Sequence, residues 1–193
     1  MSEKHSIILI GIKHCGKSTQ AKALAEHYKC DCFDTDDVIK ELTGKTPREI
    51  YNSEGRDSFI GAEKTACQYL SAKIAKERII VATGGGLAEN EGAIRALSSN
   101  SIFVYLFIDE KTACDRIISE AKTDGDKITD QSSLPSYIAK KNPYTTDDVR
   151  NIFHTFYEER TSKYEMLCDI KIDQKNNSIE KITKEIISKV DLL

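Results

Sequence analysis

The stretch that most constrains this chain is Gly11 to Thr19, GIKHCGKST, set between the apolar run SIILI and the helical pattern AKALAEHY. It fits G-x-x-x-x-G-K-[ST] with a strand-like run before it and a helix after it, the context in which this pattern forms a P-loop. The glycines let backbone N–H groups turn inward around a polyphosphate, and the helix start adds the positive end of its dipole. Gly11, His14, Cys15, Gly16, Lys17, Ser18 and Thr19 are therefore the expected nucleotide-binding residues. Lys17 is expected to reach the β- and γ-phosphates and the Ser18 hydroxyl to ligate Mg²⁺. His14 stands at a loop position often taken by glycine, and histidine tolerates left-handed backbone better than most residues.

The rest of the chain supplies a matching frame. Short β-branched runs occur at 6–10, 78–83 and 102–107, with weaker ones at 30–33 and 168–172. Helical patterns fall between and after them at 19–28, 59–76, 90–97, 111–121, 147–167 and 178–190. Alternation at this spacing predicts an α/β fold, a three-layer α/β/α sandwich on a five-stranded parallel sheet, with ligands at the carboxyl ends of the strands. A length of 193 residues, 39% of them hydrophobic, suits one domain spanning 1–193. The segment from about 122 to 146 is polar and carries two of the three prolines, so it reads as a long mobile lid rather than core.

Charge and cysteine usage narrow the partners. The 28 basic and 31 acidic residues are spread along the chain for a net charge of -3, which gives no basic stripe for nucleic acid or an anionic membrane. No apolar run approaches the roughly 20 residues that span a bilayer, and the start MSEKHSIILIG lacks the features of a secretory signal. The six cysteines form no CxxC pair, so free thiols in a reducing compartment are expected. A cytoplasmic monomer that binds a small molecule is the resulting expectation.

Two further clusters carry chemistry. DTDD, Asp34 to Asp37, follows the run CDCF. Beside a P-loop, Asp34 can hold Mg²⁺ through water and Asp36 can point at a substrate hydroxyl. Acidic residues also suit the first turn of the helix that VIKEL would begin, so DTDD alone is closer to capping than to catalysis. ATGGG, Ala82 to Gly86, closes the run RIIV, and three successive glycines suggest either close approach of a ligand or a plain strand-end turn.

Taken together, GIKHCGKST, FDTDDVIKELTGKTPREIY, SEGRDSF, IIVATGGG and EERTSKYE followed by CDIKID resemble the shikimate kinase family in order and spacing. The resemblance implies transfer of the ATP γ-phosphoryl to the 3-hydroxyl of shikimate, with a substrate-binding segment at about 35–62. It implies Ser18 and Asp34 at Mg²⁺, and Asp36 at the accepting hydroxyl as a candidate base. Gly84, Gly85 and Gly86 would present N–H groups to the substrate, Arg116 would lie against adenine, and Arg160 would clamp the substrate carboxylate. Arg160 has support of its own, because it lies along the apolar stripe Val149, Ile152, Phe153, Phe156, Tyr157, Tyr164 and Leu167, where a guanidinium needs an anionic partner.

Two positions depart from the family pattern. The second clamp arginine falls at Ile60, so Arg160 would need help, with Arg56 one helical turn earlier or a lid lysine as candidates. No arginine occurs between Arg116 and Arg150, which leaves Lys127, Lys140, Lys141 or Arg150 to replace the lid arginine without its bidentate fork. These departures keep two rivals open: a kinase for another small polyol or hydroxy acid, and a non-catalytic nucleotide sensor. Together, Lys17, Ser18, Asp34 and Asp36 weigh against the sensor, and the missing NKxD-type guanine reader weighs against a switch GTPase.

Overall fold

The computed structural model describes residues 5–175 and 177–193. Strand β1 (Ser6–Ile10) is buried along its whole length, as a strand covered on both faces must be. It leads through the phosphate loop into α1 (Lys17–Tyr28), then β2 (Cys32–Asp34) and α2 (Thr35–Thr43). Two further helices, α3 (Pro47–Ser53) and α4 (Arg56–Ile74), precede β3 (Ile80–Ala82). A 3-10 turn at Leu87–Glu89 and α5 (Glu91–Leu97) lead into β4 (Ser101–Phe107) and α6 (Glu110–Glu120).

With the last strand, β7 (Ile170–Asp173), the five core strands are parallel in the order β2-β3-β1-β4-β7. Ile7 aligns with Ile80 on one side and Ile102 on the other, so the apolar runs of β1, β3 and β4 lie in register. The chain moves outward from β1 to β2, fills the gap with β3, then crosses to β4. That reversal opens a crevice above the carboxyl end of β1, where open α/β sheets bind ligands. The expected α/β architecture with five parallel strands is the one observed.

The lid region differs from its expectation. It folds into an antiparallel hairpin, β5 (Lys122–Asp124) with β6 (Lys127–Asp130), then a 3-10 turn at Gln131–Ser133 and the single helical turn α7 (Ser136–Ala139). Leu134 and Ile138 are fully buried, so this polar segment still contributes to the core. Alternating Lys and Asp around Gly125 hid the hairpin, and the apolar anchors are too sparse to show a period. Next come α8 (Thr146–Leu167), β7 (Ile170–Asp173) and α9 (Ile179–Val190). The sequence expectations place no helix at α3, although Thr46 and Glu49 form a capping box around Pro47 there.

Candidate active site

The phosphate loop is built as its sequence requires. Gly16 caps α1 with φ 90°, and His14 has φ 64°, so the histidine does adopt the left-handed backbone its position asks for. Gln174, after β7, donates from Nε2 to the Cys15 carbonyl at 2.8 Å and braces the loop from below. The Cys15 side chain is buried, which leaves only its backbone for a nucleotide. Lys17 Nζ donates to the Gly11 and Ile12 carbonyls, both at 2.8 Å, and folds over the loop. Arg116 donates from a terminal nitrogen to the His14 carbonyl at 2.7 Å, which brings it to the rim of the same loop.

Asp34 caps α2, as the capping reading of DTDD expects, and also faces the phosphate loop. Its Oδ1 accepts from the Asp36 N–H at 3.0 Å and caps α2, while its Oδ2 accepts from Ser18 Oγ at 2.8 Å. Asp36 is left free of the cap. By surface area Asp36 is exposed to the cleft, yet protein crowds its carboxyl there; that desolvation, then the neighbouring Asp34 charge, pushes its pKa up to about 6. Lys17 and Lys13 pull the other way.

The glycine run faces Asp36 across the cleft. None of its residues has positive φ, so the constraint is space rather than torsion. A Cβ on Gly85 would stand 2.9 Å from the Lys13 backbone nitrogen, and one on Gly84 would stand 3.2 Å from Asp36 Oδ1 and 3.3 Å from Glu63 Oε1. The Gly84 N–H is itself taken by Thr35 Oγ1 at 2.8 Å, so Gly84 differs from its expected role as a donor to substrate. Gly86 sits beside the Arg160 guanidinium, 3.7 Å from Cβ position to terminal nitrogen.

Two carboxylates here were not anticipated. Glu63 on α4 is buried, with Oε2 accepting from Asn90 Nδ2 at 2.9 Å and Oε1 without a hydrogen-bond partner among the described residues. Burial raises its pKa to about 7 against the lowering effect of the Asn90 bond. It begins the buried stripe that continues through Ala66, Cys67, Leu70 and Ile74, a charged residue on an apolar face as Arg160 is. Glu89 accepts from Arg160 Nε at 2.9 Å and lies 3.5 Å from Arg56. Burial tends to raise the Glu89 pKa, but the Arg160 charge and hydrogen bond outweigh it and hold the carboxyl below the ordinary range. Arg160 thus has its anion, from a turn 71 residues away that no helical periodicity could reveal.

A cavity of about 470 Å³ joins the phosphate loop to Asp34, Asp36, Gly84, Gly85 and Arg116, with Lys13, His14, Lys17, Ser18 and Thr19 in its lining, while Glu63, Glu89 and Arg160 lie outside that lining. A second concavity of about 560 Å³, around Arg78 and Asn100 at the opposite end of the sheet, carries none of the motifs. Lys13, passed over in the sequence, is the loop cation open to the cleft. Three of the four lid candidates are engaged elsewhere: Lys140 over the Tyr51 ring at 3.7 Å, Lys127 over Tyr144 at 5.7 Å, and Arg150 on Asp115 at 2.7 Å.

The family model described as shikimate kinase matches residues 13–191. The chain belongs to the shikimate kinase family. A shikimate kinase of Alteromonas mediterranea is 30% identical over the full length of both chains. Among solved structures, shikimate kinase from Aquifex aeolicus is 27% identical with a TM-score of 0.70, covering 96% of each chain. Shikimate kinase from Acinetobacter baumannii, solved in complex with shikimate, has the same fold at 20% identity and a TM-score of 0.77, covering 96% of this chain and 92% of its own. Within this family frame, the five parallel strands match.

Proposed function

We propose that this protein is an ATP- and Mg²⁺-dependent kinase that transfers the γ-phosphoryl of ATP to a hydroxyl of shikimate. One observation carries the reading: a single cleft holds Lys17, Ser18 and Asp34 together with Asp36 and Gly84. Phosphoryl transfer asks a protein mainly for positioning and charge neutralisation, and these residues offer both. Lys17 would exchange the Gly11 and Ile12 carbonyls for phosphate oxygens. The Ser18 hydroxyl and Asp34, already a hydrogen-bonded pair, have the oxygen chemistry that suits Mg²⁺, which when bound neutralises charge on the β- and γ-phosphates. Asp36, ionised above about pH 6, accepts the hydrogen bond and then the proton of the attacking hydroxyl. The six free thiols suit a reducing cytoplasm, where this reading places a monomeric enzyme of one domain with 122–146 as its lid.

Ile60 favours a second reading, in which the acceptor is a polyol without a carboxylate. ADP release measured with shikimate and with uncharged polyols separates the two. Shikimate should be the better acceptor, and Asp36→Asn should cut turnover by orders of magnitude at nearly unchanged melting temperature. Normal turnover in Asp36→Asn, or ADP release indifferent to the acceptor, would refute the proposal.

A further inference from the structure

We propose that Arg56 is the second cation for the acceptor's carboxylate, recruited one helical turn before Ile60 and joined to Arg160 through Glu89. The inference rests on the reading of shikimate as acceptor and names how this chain recognises it. Arg160 projects from α8 with its plane fixed, stacked over the Tyr137 ring at 4.6 Å and the Phe156 ring at 5.4 Å. Its Nε edge is consumed by Glu89 Oε1 at 2.9 Å. A terminal nitrogen is left facing Gly86, within the run that borders the cleft.

Glu89 changes the charge balance of this corner. Paired with Arg160 alone it would leave no net charge, and an arriving carboxylate would meet Glu89 as a like charge. Arg56 corrects this. It is the first residue of α4, its terminal nitrogen lies 3.5 Å from Glu89 Oε2, and its side chain is 56% exposed, with donors to spare for a ligand. Two guanidiniums against one carboxylate, with Lys163 adding to them, leave the corner net positive, which suits a carboxylate ligand. Ile60, on the next turn of the same helix, cannot contribute a charge, which leaves Arg56 as the α4 cation paired with Glu89. Lys163, three residues after Arg160, acts on Glu89 through its charge more strongly than Arg56 does, so the choice of Arg56 rests on its ion pair with Glu89 and its place on α4. Arg56 and Glu89 act here as specificity determinants, distinct from the groups that handle the phosphoryl.

Steady-state kinetics of the full chain with shikimate and with its uncharged carboxamide tests the assignment. Arg56→Ala should raise the KM for shikimate about tenfold to a hundredfold, as expected for loss of a hydrogen bond to a charged group, with kcat and the KM for ATP little changed. The same substitution should leave the KM for the carboxamide within about threefold, an asymmetry that a general structural defect would not produce. Arg56→Lys should recover part of the loss, and adding Ile60→Arg to Arg56→Ala should recover most of it. An unchanged shikimate KM in Arg56→Ala, an equal effect on both acceptors, or a larger effect from Lys163→Ala would overturn the assignment while leaving the kinase reading intact. A wild type that turns over no shikimate would overturn both.

Discussion

Glu63 is the site where the fold bears a cost that can be measured. Its carboxyl is 1% exposed, has one oxygen unpartnered, and faces Asp36 across the space above Gly84. The rise of its pKa from 4.5 to about 7 corresponds to roughly 3 kcal/mol of preference for the protonated form. The sign follows from proton counting: between pH 4.5 and 7 the folded protein holds a proton that the unfolded chain has released, so stability falls as pH rises and levels off above 7. Glu63→Gln removes this dependence. The amide oxygen can keep the bond from Asn90 Nδ2, and the new NH₂ lies where the orphaned oxygen faces Asp36 Oδ1. The stability difference between variant and wild type should therefore grow by roughly 2 to 3 kcal/mol from pH 5 to pH 8, or about 5 to 10 °C in melting temperature for a chain of this size. Parallel urea and thermal melts at the two pH values give the comparison. A difference that stays constant across that range would show that Glu63 is ionised in the fold at pH 5 and that the burial argument is wrong.

Other outcomes follow from the cleft. Lys17→Ala should abolish most ATP binding or turnover in a protein that still folds, since among the described residues its ammonium bonds only loop carbonyls and the Cys15 sulfur, as read by nucleotide titration and circular dichroism. Turnover should fall as pH drops through about 6 and Asp36 takes up its proton, and this acid limb should vanish from the residual activity of Asp36→Asn. Lys13→Ala should lower kcat at least tenfold with little effect on melting, because Lys13 is the exposed loop cation beside Asp36 and no lid arginine backs it. Gly85→Ala should cost about 1 to 3 kcal/mol of stability and weaken ATP binding, since its methyl would push the Lys13 backbone away.

The parts of this molecule that are local in sequence were legible in it. The P-loop, the five parallel strands and the buried stripe of α8 each declare themselves within a dozen or so residues, because turn chemistry and side-chain period are local properties. DTDD was ambiguous for a physical reason: one Asp34 oxygen caps α2 while the other meets Ser18, so the capping carboxylate and the loop-facing carboxylate are the same residue. What stayed hidden depends on contact between distant segments. Arg160 visibly needed an anion, but Glu89 reaches it only because the 3-10 turn after the glycine run packs on α8. Glu63 could have been found from its place among Ala66, Cys67 and Leu70, yet its environment depends on Asn90 at the start of α5.

The divided use of Asp34 sets where this chain can change length. Because the same carboxylate starts α2 and meets Ser18, the beginning of the helix that carries Asp36 is measured from the phosphate loop itself. A residue inserted between Asp34 and Asp36 would rotate the acceptor-facing carboxylate by about 100° around the helix axis and detach it from that ruler. The hairpin around Gly125 has no such tie to the loop, and a residue added at its tip changes reach without turning any group that handles phosphate. Length variation should therefore be tolerated at the hairpin and lethal to activity across Asp34 to Asp36, a contrast that a short insertion scan would reveal at once.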